Sequence, residues 1–354
     1  MIPAYTIGVI PGDGIGPELV ESAIAVLDAA CAGRVRLDYR YEDGGAGAYA
    51  RTGAALADDA LARIRESYDA VLKGPVGLPE VRKPDGTEAG VLGGILRTGL
   101  DAYANVRPVR LLPGVRGALD GGTPIDYVIV RENTEGLYAS RGLGVGNAHA
   151  MTDQMLMTRP GVERVVRYAF ELARTRGGAP ADGVRRVTCV DKSNVLRGYA
   201  FFRQIFDEVA TAYPDIDPDH RYADAAGHDL VADPAHFDVL VMENFLGDVL
   251  SDVGAATVGG LGMCPSGNIG AEAAYFEPVH GSAPALAGRD EANPTSQILT
   301  AALLLRHLGE AEVARSIEDA VAASYATGAV RLTGRGTPEG GLRGVTAAVV
   351  AGLG

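Results

Sequence analysis

The sequence is short of several things, and each shortage removes a class of protein. Positive charge is in deficit: 32 Lys and Arg against 45 Asp and Glu leave a formal net charge of -13. Binding to nucleic acid, which needs a basic face, is therefore excluded. Cysteine is scarce: Cys31, Cys189 and Cys264 lie far apart, with no CxxC pair. That pattern excludes a disulfide framework and predicts reduced, buried thiols in a cytoplasmic protein. No uncharged apolar run approaches the length of a membrane span. The start, MIPAYTIGVIPGDG, has no basic segment followed by a long apolar one, so neither a membrane protein nor a signal peptide is expected. Long repeats, low-complexity linkers and blocks of charge are also missing.

What is present is a globular composition. The 354 residues are 47% hydrophobic and 22% charged, enough for two domains with their own cores. Short apolar runs alternate with helix-like stretches. Strands are predicted at Tyr5–Ile10, Ala70–Lys73, Asp126–Arg131, Arg186–Asp191 and Asp238–Glu243. Helices are predicted at Pro17–Ala30, Pro160–Arg174, Ala200–Ala212, Phe245–Ala256, Pro294–Leu308 and Glu310–Ala326. Strands separated by helices indicate an α/β fold. With no linker, the chain is expected to leave one domain and return to it. The Gly-rich stretch Arg141–Ala148 is either a protruding arm or a flexible loop.

The turn after the first strand, Gly12-Asp13-Gly14-Ile15-Gly16-Pro17, resembles a dinucleotide fingerprint at first sight. Its glycines alternate instead of following the two-then-three spacing, and Pro17 holds the third site. No acidic residue is expected at the end of a clear second strand. A standard Rossmann reading is therefore poor.

The most informative segment is Asn244–Asp252, directly after a strand, where α/β enzymes place their sites. Asp248 and Asp252 are four apart, so on a helix both carboxylates face one side. Like charges so placed repel unless a cation sits between them, and a hard divalent ion with oxygen ligands meets that need. A solvated helix face is the ordinary reading of such a pair, but the surroundings here are apolar and Gly-rich. Asp224 is a third acid upstream. Arg97, Arg107 and Arg131 each border a strand or helix end, and arginine forks match carboxylates bidentately. Tyr138 follows Arg131 closely. Lys192, just after the strand ending at Asp191, is expected to be a buried lysine of lowered pKa.

Together these residues resemble the isocitrate/isopropylmalate dehydrogenase family, the β-decarboxylating dehydrogenases. The blocks that carry the resemblance are Ile10–Glu18, Tyr103–Pro108, Arg131–Tyr138, Asn244–Asp252, Pro265–Gly270 and Glu277–Pro284, in the family's order over nearly the whole chain. The resemblance implies two α/β domains around a central cleft. Residues 1–105 with 260–354 would form a nucleotide-binding domain. Residues 106–259 would form a substrate, metal and dimerisation domain with an arm near 139–155. It implies a homodimer with shared active sites, to which Lys192 and Asp224 are lent by the neighbouring subunit.

The resemblance also implies roles. Arg97, Arg107 and Arg131 would bind the carboxylates of a small 2-hydroxy acid. Asp224, Asp248 and Asp252 would ligate Mg²⁺ or Mn²⁺. Lys192 would take the hydroxyl proton, and Tyr138 would protonate C3 after loss of CO₂. His280, Gly281, Ser282, Ala283 and Asn293 would bind the dinucleotide. Two departures bear on specificity. The aspartate that follows the Ala-Pro pair in NAD-using relatives is Ala285 here. The Lys-Tyr pair of bacterial NADP-using isocitrate enzymes is missing too, so NAD is expected and NADP is the alternative. Arg289 and Arg335 stand as candidates to reach a 2′-phosphate. The stretch Glu88–Leu92 resembles the isopropylmalate gate but lies farther from Arg97 than in most such enzymes. The substrate order is 3-isopropylmalate, then D-malate or tartrate, then an unusual 3-substituted malate, with isocitrate last. A regulatory subunit would have lost metal or catalytic side chains, and this chain retains them. A short-chain dehydrogenase would need a Tyr-x-x-x-Lys pair, and none is present.

Overall fold

The structure is a computed structural model that describes residues 2–119, 122–334 and 336–353. Two compact units emerge. The first takes the chain up to Asp101, Leu112–Arg116 and everything from Gly259 on; the second takes Ala102–Leu111 and Gly117–Val258.

The first unit opens with strand β1 (Ala4–Ile10) and helix α1 (Gly16–Cys31). Pro17 sits in the first turn of α1, where its missing N–H costs nothing. Leu19, Ala23, Val26, Leu27 and Ala30 recur at helical spacing on the buried face. Next comes β2 (Arg36–Tyr41), which pairs parallel with β1. This overturns the expectation that no second strand ends in an acid, because Glu42 follows it directly. Its RLDYRY sequence lacks an apolar run because β2 is an edge strand with mostly exposed side chains. Glu42 is not on offer to a ligand. Arg63 donates to both its oxygens (2.8 and 2.7 Å) and the Tyr68 hydroxyl to one (2.5 Å). Then follow α2 (Ala46–Thr52), α3 (Ala60–Ser67), β3 (Ala70–Lys73) and α4 (Leu92–Gly99).

The second unit starts with β4 (Ala104–Arg110) and β5 (Asp126–Glu132), an antiparallel pair. The Gly-rich stretch contributes an exposed two-stranded hairpin, β6 (Val145–Gly146) and β7 (Met151–Thr152). Then come α5 (Arg159–Thr175), β8 (Arg186–Asp191), α6 (Arg197–Ala210), β9 (Asp217–Tyr222), α7 (Ala223–Ala232), β10 (Val239–Met242) and α8 (Asn244–Thr257). The strands lie in the order β4-β5-β10-β8-β9. β10, flanked by parallel β5 and β8, is buried at every residue, as its unbroken VLVM run requires. At its head Asp238 is fully buried and held by Arg176 at 2.6 Å, a pair that would be costly to break from either side.

The chain then re-enters the first unit as the antiparallel pair β11 (Pro265–Ile269) and β12 (Ala274–Pro278). They complete the order β2-β1-β3-β12-β11. Helices α9 (Thr295–His307), α10 (Ala311–Ala326) and α11 (Gly341–Ala351) follow. α9 is buried nearly all round, against α1, α10 and the β11–β12 pair. Small residues such as Ala301 and Ala302 allow that close packing. No described helix is long and apolar enough to cross a membrane.

Candidate active site

The second unit brings five of the expected residues together. Arg107 does not border an element as expected: it lies in the middle of β4. Its Nε donates to Asn105 Oδ1 at 2.6 Å and its Nη1 to Ser251 Oγ at 2.5 Å. Arg131, near the end of β5, is 1% exposed, and Nε and Nη2 donate to Asn244 Oδ1 at 3.0 and 2.7 Å. The guanidinium of Arg131 also pairs with Asp248. Arg107 approaches Asp248 at 3.5 Å and Asp252 at 3.6 Å. The Tyr138 hydroxyl donates to Asp248 Oδ2 at 2.8 Å. Two cations, two carboxylates and one phenol thus share one side of α8.

Local sequence explains the placement. Glu243 follows β10 directly and caps α8, accepting from the backbone N–H of Phe245 (3.0 Å) and Leu246 (3.3 Å). The same buried carboxylate accepts from Leu137 N at 2.8 Å and from the Tyr199 hydroxyl at 3.0 Å, so it also fixes the turn that presents Tyr138. Gly247 lets α8 come close to the strand: a Cβ there would meet Arg131 Cγ at 2.5 Å. Tyr138 packs edge-on against Phe245, with the Arg131 guanidinium 5.6 Å from its ring centre. Burial and then the bond to Asp248 push the phenol's pKa up, keeping its proton in place. Partial desolvation, and then Asp248, raise the Asp252 carboxyl against the pull of Arg107.

Lys192 and Asp224 form a separate pair. Lys192 Nζ lies 2.5 Å from Asp224 Oδ1 and 5.8 Å from the Tyr222 ring centre. The lysine side chain is 30% exposed, so the expected buried lysine is not what the structure holds. Its ammonium draws the Asp224 pKa down. Asp224 does not join Asp248 and Asp252: among the described residues no group of three His, Cys, Asp or Glu side chains is placed to hold a metal. The donors that α8 does present, two carboxylates one turn apart whose charge Arg107 and Arg131 offset in part, fit a hard divalent cation as a partial set.

The remaining expected residues belong to the first unit. Arg97 is in the last turn of α4. His280 to Ala283 follow β12. Burial keeps the His280 imidazole pKa low. Nδ1 meets Gly281 O at 2.9 Å, which leaves Nε2 as an acceptor, buried and without a hydrogen-bond partner among the described residues. A neutral acceptor of that kind fits an adenine amino group and suits no phosphate. Ala283 takes a left-handed conformation (φ 36°). Asn293 caps the start of α9 through Thr295 N at 3.1 Å. Ala285 and Arg289 are exposed, while Arg335 lies outside the described residues. The glycine loop serves packing: a Cβ on Gly14 would meet Ser282 O at 2.1 Å.

Sequence reasoning missed Asn105, Asn244, Ser251 and Glu243 as holders of the site. Only Glu243 carried a signal, an acid between a strand and a helix.

Comparison with known proteins gives the family and the fold. The sequence profile of the isocitrate/isopropylmalate dehydrogenase family matches residues 6–333. The chain belongs to that family. It is 44% identical over 327 residues to the 3-isopropylmalate dehydrogenase of Corynebacterium glutamicum, covering 90% of this chain and 93% of that one. Isocitrate dehydrogenase of Methylococcus capsulatus superposes with a TM-score of 0.85 at 37% identity, covering 99% of each chain. A β-decarboxylating dehydrogenase of Thermococcus kodakarensis gives 0.81 at 36%, covering 99% of this chain and 96% of that one. The protein is therefore a decarboxylating dehydrogenase that acts on a CH–OH group.

Proposed function

We propose that this enzyme oxidises and decarboxylates 3-isopropylmalate, with NAD as hydride acceptor and Mg²⁺ or Mn²⁺ as metal. The observation that carries the reading is the cluster on α8: Arg107, Arg131 and Tyr138 around Asp248 and Asp252. Arg107 and Arg131, with Arg97 of the first unit, hold the substrate's carboxylates. Asp248 and Asp252 hold the metal, with Asp224 of the neighbouring subunit as third ligand. When bound, the metal polarises the 2-hydroxyl and stabilises negative charge as CO₂ leaves. Lys192 of the neighbouring subunit takes the hydroxyl proton as hydride leaves C2 for NAD, and Tyr138, protonated at rest, gives its phenol proton to C3 after CO₂ has left. His280, Gly281, Ser282, Ala283 and Asn293 hold the dinucleotide.

The 3-substituent is read from α4. Val91, just before it, and Ile95 are exposed large apolar residues one turn apart. A branched alkyl group suits them, whereas a third carboxylate needs a cation. Glu88 of the gate stretch lies outside the helix and pairs with Arg82 at 3.4 Å. A homodimer is supported by exposed Val231, Phe245 and Val249 on α7 and α8, and by Leu143, Val145 and Met151 on the arm.

The test is reduction of NAD and NADP on a panel of malates, with and without a chelator. We expect the highest kcat/KM for 3-isopropylmalate with NAD, and none with excess EDTA. A highest value for D-malate would overturn the substrate and leave the reaction class.

The role of Tyr138 has its own expected outcome. Tyr138→Phe should slow oxidative decarboxylation about a hundredfold, in the range of general acid catalysis. Reduction of a supplied 2-oxo acid should fall much less. Equal losses in both assays would remove the tyrosine from the protonation step.

A further inference from the structure

One carboxylate in the first unit is used by none of the chemistry above. Asp13 is 6% exposed and lies in the glycine loop after β1. Its Oδ2 accepts from Ala46 N and Gly77 N, each at 2.8 Å, and its Oδ1 from Gly47 N at 2.8 Å. Its own N–H donates to Pro75 O at 2.9 Å. A single side chain therefore ties three segments that are far apart in sequence: the glycine loop, the start of α2 and residues 74–77. Charge-assisted bonds of this kind are the strong ones, and a buried carboxylate needs all of them.

Those segments in turn grip Ser282. Its hydroxyl donates to Gly77 O at 2.5 Å, and its carbonyl accepts from Ile15 N at 2.8 Å. Ser282 is thus held at both ends by two of the three segments that Asp13 joins, the glycine loop and residues 74–77. The next residue, Ala283, has φ 36°, a backbone conformation that a residue with a Cβ keeps only when its surroundings impose it.

We propose that Asp13 is a positioning residue for the dinucleotide segment: through Gly77 and Ile15 it sets the register of His280 to Ala283, and so the affinity for the cofactor. This rests on reading 280–283 as that segment.

An amide at position 13 can keep the two-donor side and loses the Gly47 bond; an alanine loses all three. Asp13→Asn should therefore weaken NAD binding about tenfold by calorimetry, and Asp13→Ala more. The KM for the 2-hydroxy acid, and kcat at saturating NAD, should stay within twofold. Amide hydrogen exchange should rise in peptides spanning 278–285 and not in those of the second unit. A purely structural role would instead lower kcat, raise both KM values and loosen exchange everywhere, and that result overturns the proposal. If Asp13→Ala does not fold, the asparagine variant carries the test alone. His280→Ala separates the two layers. If it leaves the NAD Kd unchanged, the reading of 280–283 fails and the proposal with it. If it weakens NAD while the folded Asp13 variants bind NAD as wild type does, the positioning role alone is refuted.

Discussion

Lys192→Met should reduce turnover about a thousandfold, in both the forward reaction and reduction of a 2-oxo acid, since it removes the group proposed to take the hydroxyl proton. Arg97→Ala should be similarly poor, through lost substrate binding. A mixture of the two, after subunit exchange, should regain about a quarter of wild-type activity. Random exchange makes half the dimers mixed, and in each one cleft receives both defects and the other neither. The structure motivates this experiment by what it keeps apart. Lys192 is paired with Asp224, and that pair does not join Asp248 and Asp252 into a three-acid group within the chain. On the proposed reading, a complete site draws that pair from a second subunit. Absence of recovery despite proven exchange, measured by mass spectrometry of the mixed dimer, would show each subunit's site to be self-contained.

Asp252→Asn should abolish metal-dependent activity at ordinary Mg²⁺ concentrations. A unit charge removed from beside a divalent ion costs several kcal/mol at an effective dielectric of about 20. Asp252 is more than half exposed, and discounting for solvent leaves about a hundredfold in metal affinity. Asp248→Asn should do more harm. Arg131, Arg107 and the Tyr138 hydroxyl all lean on Asp248, so the substrate KM should rise along with the metal Kd. For Asp252→Asn the substrate KM at saturating metal should move little. Calorimetric titration with Mn²⁺ checks both variants; unchanged metal affinity in both would remove α8 from the metal site.

The sequence spoke most clearly where one interaction dominated. Asp248 and Asp252 were readable because helical spacing alone puts them on one face. The buried strands β8 and β10 were readable because both faces are covered and every residue is apolar or paired. Edge strands were not. β2 (RLDYRY) and β9 (DPDHRY) each pair on one side only, so neither needs an apolar run, and their polar residues look like loop. The supports of the site were the least legible. Asn244 and Arg131 are 113 positions apart, as are Ser251 and Arg107 by 144. Nothing local in an asparagine or a serine reports such a partner. The lysine expectation failed for a related reason: whether Lys192 is buried depends on Asp224 and Tyr222, which arrive on other elements.

The order in which the first unit's strands enter its sheet sets a problem for synthesis. β3 is made early, yet its neighbour on one side, β12, begins at Ala274, roughly 200 residues after Lys73. At about 5–20 residues per second on the ribosome, that edge waits about 10–40 s for its partner. Throughout that time a strand that ends up fully buried has one open row of hydrogen-bonding groups, the feature that invites pairing with other chains. The second unit, by contrast, lies almost wholly within one stretch and has what it needs to fold first. A chain that has released residues up to 258 would therefore carry the whole of the second unit beside a first-unit sheet that still lacks β11 and β12.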